Sequence, residues 1–355
     1  MPVSEQQPPM LGDFDGNRRN NFTALRILFA WLVLYGHSFP ITAKGVTDPL
    51  KSVFGGSIWI GALAVAGFFA ISGFLVTASF QRRGFLDYVI SRVLRIYPAL
   101  IVCVLLMVFV LGPVATTLEM SGYFNDPQTF KYLRNASAFF PMEFRLPGVF
   151  ADNARPSVNG SLWTLTLEVS CYLLLVAFGV LGLLRSQFLI NLSVICVLLF
   201  AMSFFTEIPL VGRRANWWGP ALYFLIGVAL YANRHSIPLS LPLGIAAALL
   251  CYASFGDKWF AFVFPPAFVY LIFYLAYCTP YLGVDERLGD PSYGIYIYAW
   301  PVQQLVTMWF PEEGPYFNTA VATAIVVLLA VLSWRLIEKP ALGLKRRFLK
   351  PASSQ

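Results

Sequence analysis

Long apolar blocks alternate with short polar breaks along the whole chain. Ten blocks stand out, at roughly Phe22–Pro40, Ser57–Phe80, Tyr97–Ala115, Ser161–Leu184, Phe188–Phe205, Trp218–Ala232, Pro238–Phe255, Trp259–Tyr281, Ser292–Phe310 and Phe317–Ile337. A helix needs ~20 residues to cross a hydrocarbon core of ~30 Å. Within a block the apolar residues run almost unbroken, whereas a helix on a soluble domain shows one stripe repeating every 3.6 residues. Lipid offers no partner for backbone N–H and C=O groups, so such blocks are satisfied as helices. The pattern predicts an all-α protein, a polytopic transmembrane helix bundle of about ten spans. The sixth and seventh blocks are short, which predicts tilt, re-entry or shielding by neighbours.

Composition agrees. The chain is 58% hydrophobic and 12% charged, about half the charge of an ordinary soluble domain, and its mean hydropathy is +0.66. The net charge of +7 does not point to nucleic acid, because basic residues gather at block ends. With an even number of spans both termini share one side. If the N-terminus is cytoplasmic, that side holds about 16 of the 25 Lys and Arg residues. The excess predicts an N-in, C-in topology. The outside basic residues lie mostly in one long loop or in pairs such as Arg213 and Arg214.

Residues 1–21 are polar with three prolines and predict a flexible cytosolic tail. No cleavable signal pattern precedes the first block, which is expected to stay as an uncleaved anchor. Residues 22–340 form one transmembrane domain, and 341–355 a basic cytosolic tail. There Lys345, Arg346, Arg347 and Lys350 suit anionic headgroups. The five cysteines, Cys103, Cys171, Cys196, Cys251 and Cys278, all fall in apolar blocks and fit no metal spacing. The longest loop, roughly Thr116–Gly160, carries aromatics (Tyr123, Phe124, Phe139, Phe140) and mixed charge including Arg155. It is too short for a separate domain of usual size. It either covers an outward-facing site or is a packed cap without a direct role.

Ionisable groups inside spans are costly unless paired or wet, so the few present are informative. Of two histidines, His235 sits in a short polar loop and His37 lies late in the first span. Alone, His37 also fits an interfacial residue satisfied by a backbone carbonyl. Arg26 precedes it by eleven residues, which turn a helix through ~1100° and raise it ~16.5 Å. The two therefore share a face at opposite depths, the geometry for holding a long, anionic-headed ligand. Snorkelling to headgroups also accounts for Arg26 by itself. Arg92 and Arg95 form an i, i+3 pair at the cytoplasmic end of the third span, suited to phosphate. Topology-setting charge explains such a pair equally. Glu168 follows the helix-start stretch Asn159-Gly160-Ser161-Leu162-Trp163 by about two turns. It would either orient the imidazole of His37 or pair with an arginine elsewhere in the bundle.

Together these residues resemble the membrane acyltransferase-3 family, bacterial integral-membrane O-acyltransferases that acetylate carbohydrates. The resemblance runs from about Asn20 to Pro340. Its most specific elements are Arg26-x10-His37 and Arg92-x-x-Arg95-Ile96-Tyr97-Pro98. Supporting elements are the stretch from Gly67 to Leu75, Asn159 to Glu168, Ser292-Tyr293-Gly294-Ile295-Tyr296 and Ile337-Glu338-Lys339-Pro340. One departure stands out. Many members carry a histidine before the proline of the ninth span, where this chain reads Tyr298-Ala299-Trp300-Pro301.

The resemblance implies acyl transfer from a cytoplasmic acyl-CoA, acetyl-CoA foremost, to a sugar hydroxyl on the outer side of the bacterial inner membrane. No bound cofactor or metal is implied. Arg92, Arg95 and Arg26 would hold the phosphates of CoA. His37 would be a general base or a nucleophile, with Glu168 beside it. Ser72, Asn159, Ser161 and Trp163 would line the substrate path. On composition alone, a transporter or flippase of lipid-linked saccharide fits the same hydropathy. Its expected internal repeat is not seen in the sequence.

Overall fold

A computed structural model describes residues 8–139, 141–203 and 218–348. Phe140, Arg213, Arg214, Lys350 and the end of the fifth block lie outside the described residues. Those described are helical and loop, with no strand among them. The main helices are α1 (Phe22–Thr42), α2 (Ile60–Leu106), α3 (Trp163–Val180), α4 (Gln187–Ser203), α5 (Trp218–Ala232), α6 (Leu241–Ser254), α7 (Phe260–Cys278), α8 (Ser292–Trp309), α9 (Pro315–Ser333) and α10 (Lys339–Phe348). Among the described residues, five helical runs are long and apolar enough to cross a membrane: Phe22–Thr42, Ile60–Ala115, Gly160–Val180, Phe260–Cys278 and Pro315–Lys345. The run Ile60–Ala115 contains two of the expected blocks in 56 residues. Helices α5 and α6, at 15 and 14 residues, rise only ~21–23 Å, short as the sequence implied.

The polar stretch from Gln81 to Arg95 holds the expected break between blocks: α2 is two helices joined by a kink at Gly84, at φ 78° and ψ 176°. Glycine alone adopts that conformation without strain. Arg92 and Arg95 therefore project from a helix that continues into the next apolar block. Two π-helical turns, Met107–Leu111 and Trp334–Glu338, end just before Gly112-Pro113 and Lys339-Pro340. A proline has no N–H and its ring clashes with the carbonyl four residues back, which widens the preceding turn.

The chain divides into two compact units. One holds the residues up to Arg26, Leu50–Arg82 and Leu174–Arg287. Here α2 and α5 meet through glycines: a Cβ on Gly73 would strike the carbonyl oxygen of Phe224, and one on Gly227 that of Ala70. Small residues of this kind let helix backbones approach closely in lipid. The N-terminal stretch is not a free tail from Pro9 onward. Leu11 and Gly12 donate to the carbonyls of Ile237 and Arg234, both at 2.8 Å, and Leu239 donates back to Pro9 at 2.8 Å. Asp15 bridges Arg82 and Arg234, and Phe14 stacks on Tyr277. Leu11, the buried residue of the short turn Leu11–Phe14, supplies the apolar anchor that a flexible tail lacks.

The other unit holds Ile27–Pro49, Arg83–Leu173 and the residues from Leu288 onward. Helices α8 and α9 form its hairpin, with Gly294 packed on Ala330. Residues 116–160 fold over short helices and turns; within them the Tyr123 hydroxyl donates to Val108 O at 2.9 Å and Lys131 pairs with Glu143. One face of α8, with Tyr298, Val302 and Leu305, lines an apolar cleft of about 450 Å³ beside Val102 and Leu106. Its other face carries the polar groups described next. The expected C-terminal tail begins as helix α10, where Lys345 pairs with Asp87 at 2.7 Å.

Candidate active site

Arg26 and His37 lie on one continuous helix, α1, as their spacing required. The half-buried His37 ring meets Trp300 of α8 edge to face, with centroids 4.8 Å apart and planes at 73°. Trp300 is itself fixed. Its Nε1 donates to Ser157 O at 2.9 Å, and Gly160 lies against the ring, where a Cβ would fall 2.6 Å from a ring carbon. Trp300 thus occupies the stretch in which many members of the resembled family place a second histidine.

One turn further along α8, Gln304 donates to the carbonyls of Arg155 and Ser157 and accepts from Asn153 at 2.8 Å. The segment Asn153–Ser157 is thereby stitched onto α8. It brings Arg155 to the end of α1, where Nε donates to Pro40 O at 3.2 Å and the guanidinium charge acts on His37. On the other side of His37, Ser38 enters a buried polar knot. Gln303 donates to Ser38 Oγ at 2.7 Å, Thr319 donates to Ser38 Oγ at 2.8 Å, and Asn318 donates to Gln303 O at 2.9 Å. These bonds tie α1, α8 and α9 together one residue from the imidazole, although the buried Oε1 of Gln303 has no partner among the described residues.

The start of α3 lies in the same unit. Asn159 caps it by accepting from Ser161 N at 3.2 Å and anchors it by donating to Ile297 O at 2.8 Å. The carbonyl of Ser161 accepts from Tyr296 and Thr164, both at 3.1 Å. Trp163 is half-buried in the first turn. Glu168, expected beside His37, is engaged elsewhere. Its carboxylate accepts a short hydrogen bond from Tyr172, one turn on. Tyr172 also carries Arg92 over its ring face, 5.7 Å from the centroid, and its carbonyl accepts from Tyr88 at 3.1 Å. Structure therefore groups Glu168 with Arg92 and does not hydrogen-bond it to the histidine. Arg26 and Ser72 belong to the first unit and all other predicted site residues to the second.

The two arginines of the i, i+3 pair have different surroundings. Arg95 is 13% exposed and salt-bridged twice, to Asp290 at 2.9 Å and to Glu338 at 3.3 Å. Tyr293 and Trp334 flank it within 5.9 Å. Ser333 donates to Glu338 at 3.0 Å, and Ser292 to Asp290 at 2.5 Å. Arg92 has no carboxylate within 4.0 Å among the described residues, and its buried Nε has no hydrogen-bond partner there. Arg95 is neutralised by protein, while Arg92 has no such carboxylate among the described residues.

Sequence reasoning missed Arg155, Asp290, Gln303, Gln304 and Asn318 as parts of this region. Four of these five were visible as polar residues within or beside apolar blocks.

Apolar helices of spanning length, with a half-buried imidazole framed by Trp300, define a membrane protein. The sequence profile of a family described as "Acyltransferase domain" matches residues 19–337, and the chain belongs to that family, the membrane acyltransferase-3 family. Among curated proteins it is similar to an O-acetyl transferase of Shigella phage Sf6, at 28% identity over 338 residues, covering 91% of this chain and 96% of that protein. It is also similar to Nodulation protein 10 of Rhizobium leguminosarum bv. viciae, at 29% identity over 368 aligned positions, covering 94% and 96% respectively. No solved structure matches.

Proposed function

We propose that this membrane acyltransferase moves an acetyl group from cytoplasmic acetyl-CoA to a hydroxyl of a cell-surface or secreted carbohydrate, working across the bacterial inner membrane. The observation that carries the proposal is His37, a histidine late in a candidate span, held between Trp300 and the Arg155 segment. The O-acetyl transferase relative supports an oxygen acceptor and an acetyl donor. In this reading α1 enters from the cytoplasm, with Arg26 at its inner end and His37 near its outer end.

Arg92 binds a phosphate of CoA at the inner side, since its charge has no carboxylate partner among the described residues. Arg95 does not, because Asp290 and Glu338 already occupy it. The pantetheine arm carries the thioester toward His37, which takes the proton of the acceptor hydroxyl as it attacks the carbonyl carbon. The carbon–sulfur bond then breaks and the thiolate recovers the proton from the imidazolium. Glu168 holds the Tyr172–Arg92 contact in place rather than the imidazole.

The test uses His37→Ala in the full chain, purified from membranes, with thiol release from acetyl-CoA and acetylation of a crude surface glycan as readouts. Loss of both with unchanged thermal unfolding is expected. Retained glycan acetylation would sink the proposal.

A further inference from the structure

Ser161 is 1% exposed, yet its hydroxyl makes no hydrogen bond among the described residues. Both of its backbone groups are committed, the N–H to Asn159 and the carbonyl to Tyr296 and Thr164. A buried hydroxyl without a partner costs about 1–3 kcal/mol, and alanine would fill the same space without that cost. Helix capping does not account for the serine, because Asn159 performs it. An unsatisfied buried group of this kind calls for an explanation outside packing.

Its position supplies one. Gly160, the preceding residue, lies against Trp300, and Trp300 lies against His37. Ser161 lies in the 3₁₀ turn Gly160–Leu162 that leads into α3, 18 residues long, at the end where the helix dipole is positive and first-turn N–H groups have no partner within the helix. We propose that the Ser161 hydroxyl is the donor that binds the oxyanion formed on the acyl carbonyl, with the N-terminal end of α3 adding positive field.

The assignment rests on acyl transfer at His37. As the acceptor oxygen bonds to the carbonyl carbon, the π pair moves to the carbonyl oxygen, and the Ser161 hydroxyl donates to that oxygen until the carbon–sulfur bond breaks. A route through an acyl-imidazole passes through the same kind of oxyanion, so the role holds for either use of the histidine. One such donor is worth about 10²–10³ in kcat.

The experiment compares Ser161→Ala and Ser161→Cys with the wild type, full length in detergent. It measures kcat and KM for acetyl-CoA, with thermal unfolding alongside. For Ser161→Ala the expected result is an unfolding midpoint at or above wild type, kcat lower by about 10²–10³ and KM little changed. A kcat within threefold of wild type, or a loss confined to KM, would overturn the assignment. Should the alanine variant unfold, Ser161→Cys decides: folded and slow supports the role, folded and as fast as wild type refutes it. An inactive His37→Ala beside an active Ser161→Ala would refute only this assignment. An active His37→Ala would refute the acyl-transfer reading beneath it.

Discussion

Arg95→Ala and Arg92→Ala should fail in different ways, although the residues sit three apart on one helix. Arg95→Ala leaves Glu338, 1% exposed, and Asp290, 16% exposed, without their shared cation. Removing one partner of a buried ion pair costs about 3–5 kcal/mol, because the remaining charge stays buried. At roughly 2 °C per kcal/mol for a chain of this size, the unfolding midpoint should fall by about 6–10 °C. Arg92→Ala gives up a contact with the Tyr172 ring, worth about 0.5–1 kcal/mol, so its midpoint should move by no more than about 2 °C. Binding should reverse that order. A charged hydrogen bond to phosphate is worth about 1.5–3 kcal/mol, so Arg92→Ala should weaken CoA by roughly 10- to 100-fold. The folded fraction of Arg95→Ala should bind CoA nearly as wild type. The assays are tryptophan fluorescence during heating and calorimetric titration with CoA. An Arg95→Ala protein that melts at the wild-type temperature and has lost CoA affinity would refute the division of roles.

Gly160→Ala should lower turnover at least tenfold, read as thiol release, because its Cβ would sit 2.6 Å from a carbon of Trp300 and displace the ring from His37. Overpacking of this kind should also cost about 1–3 kcal/mol in unfolding experiments. Gln303→Leu removes the donor that joins Ser38 to α8 and leaves buried polar groups unpaired, at about 1–3 kcal/mol each. Its lowered midpoint should be accompanied by a fall in kcat, since Ser38 adjoins His37; unchanged values of both would show that the polar knot holds nothing in place.

The sequence disclosed the helices and the family, through features local to single segments. Apolar blocks located the helices, five of them of spanning length among the described residues against about ten expected, because lipid solvation acts on each helix separately. The Arg26–His37 register was readable because both lie on one helix. The polar stretch between Gln81 and Arg95 marks a real break at the Gly84 kink, though hydropathy does not show that the backbone is helical on both sides of it. The partners of Glu168 and Arg95 were not readable. Choosing Tyr172 for Glu168 and Asp290 with Glu338 for Arg95 depends on how α3, α8 and the end of α9 pack against α2. The docking of Leu11 escaped for the same reason, since polar composition signals looseness only where nothing buries the occasional apolar residue.

Arg95, Asp290 and Glu338 come from three stretches of chain separated by 195 and 243 positions from the first, and two of those stretches are among the motifs that mark the family. Part of the signature is therefore a record of assembly rather than of chemistry. A protein could lose its equivalent of His37, keep these three residues, and still fold and insert as this one does. Matching the signature would then identify an architecture, while competence in the proposed reaction would rest on a different and smaller set of positions, His37 among them.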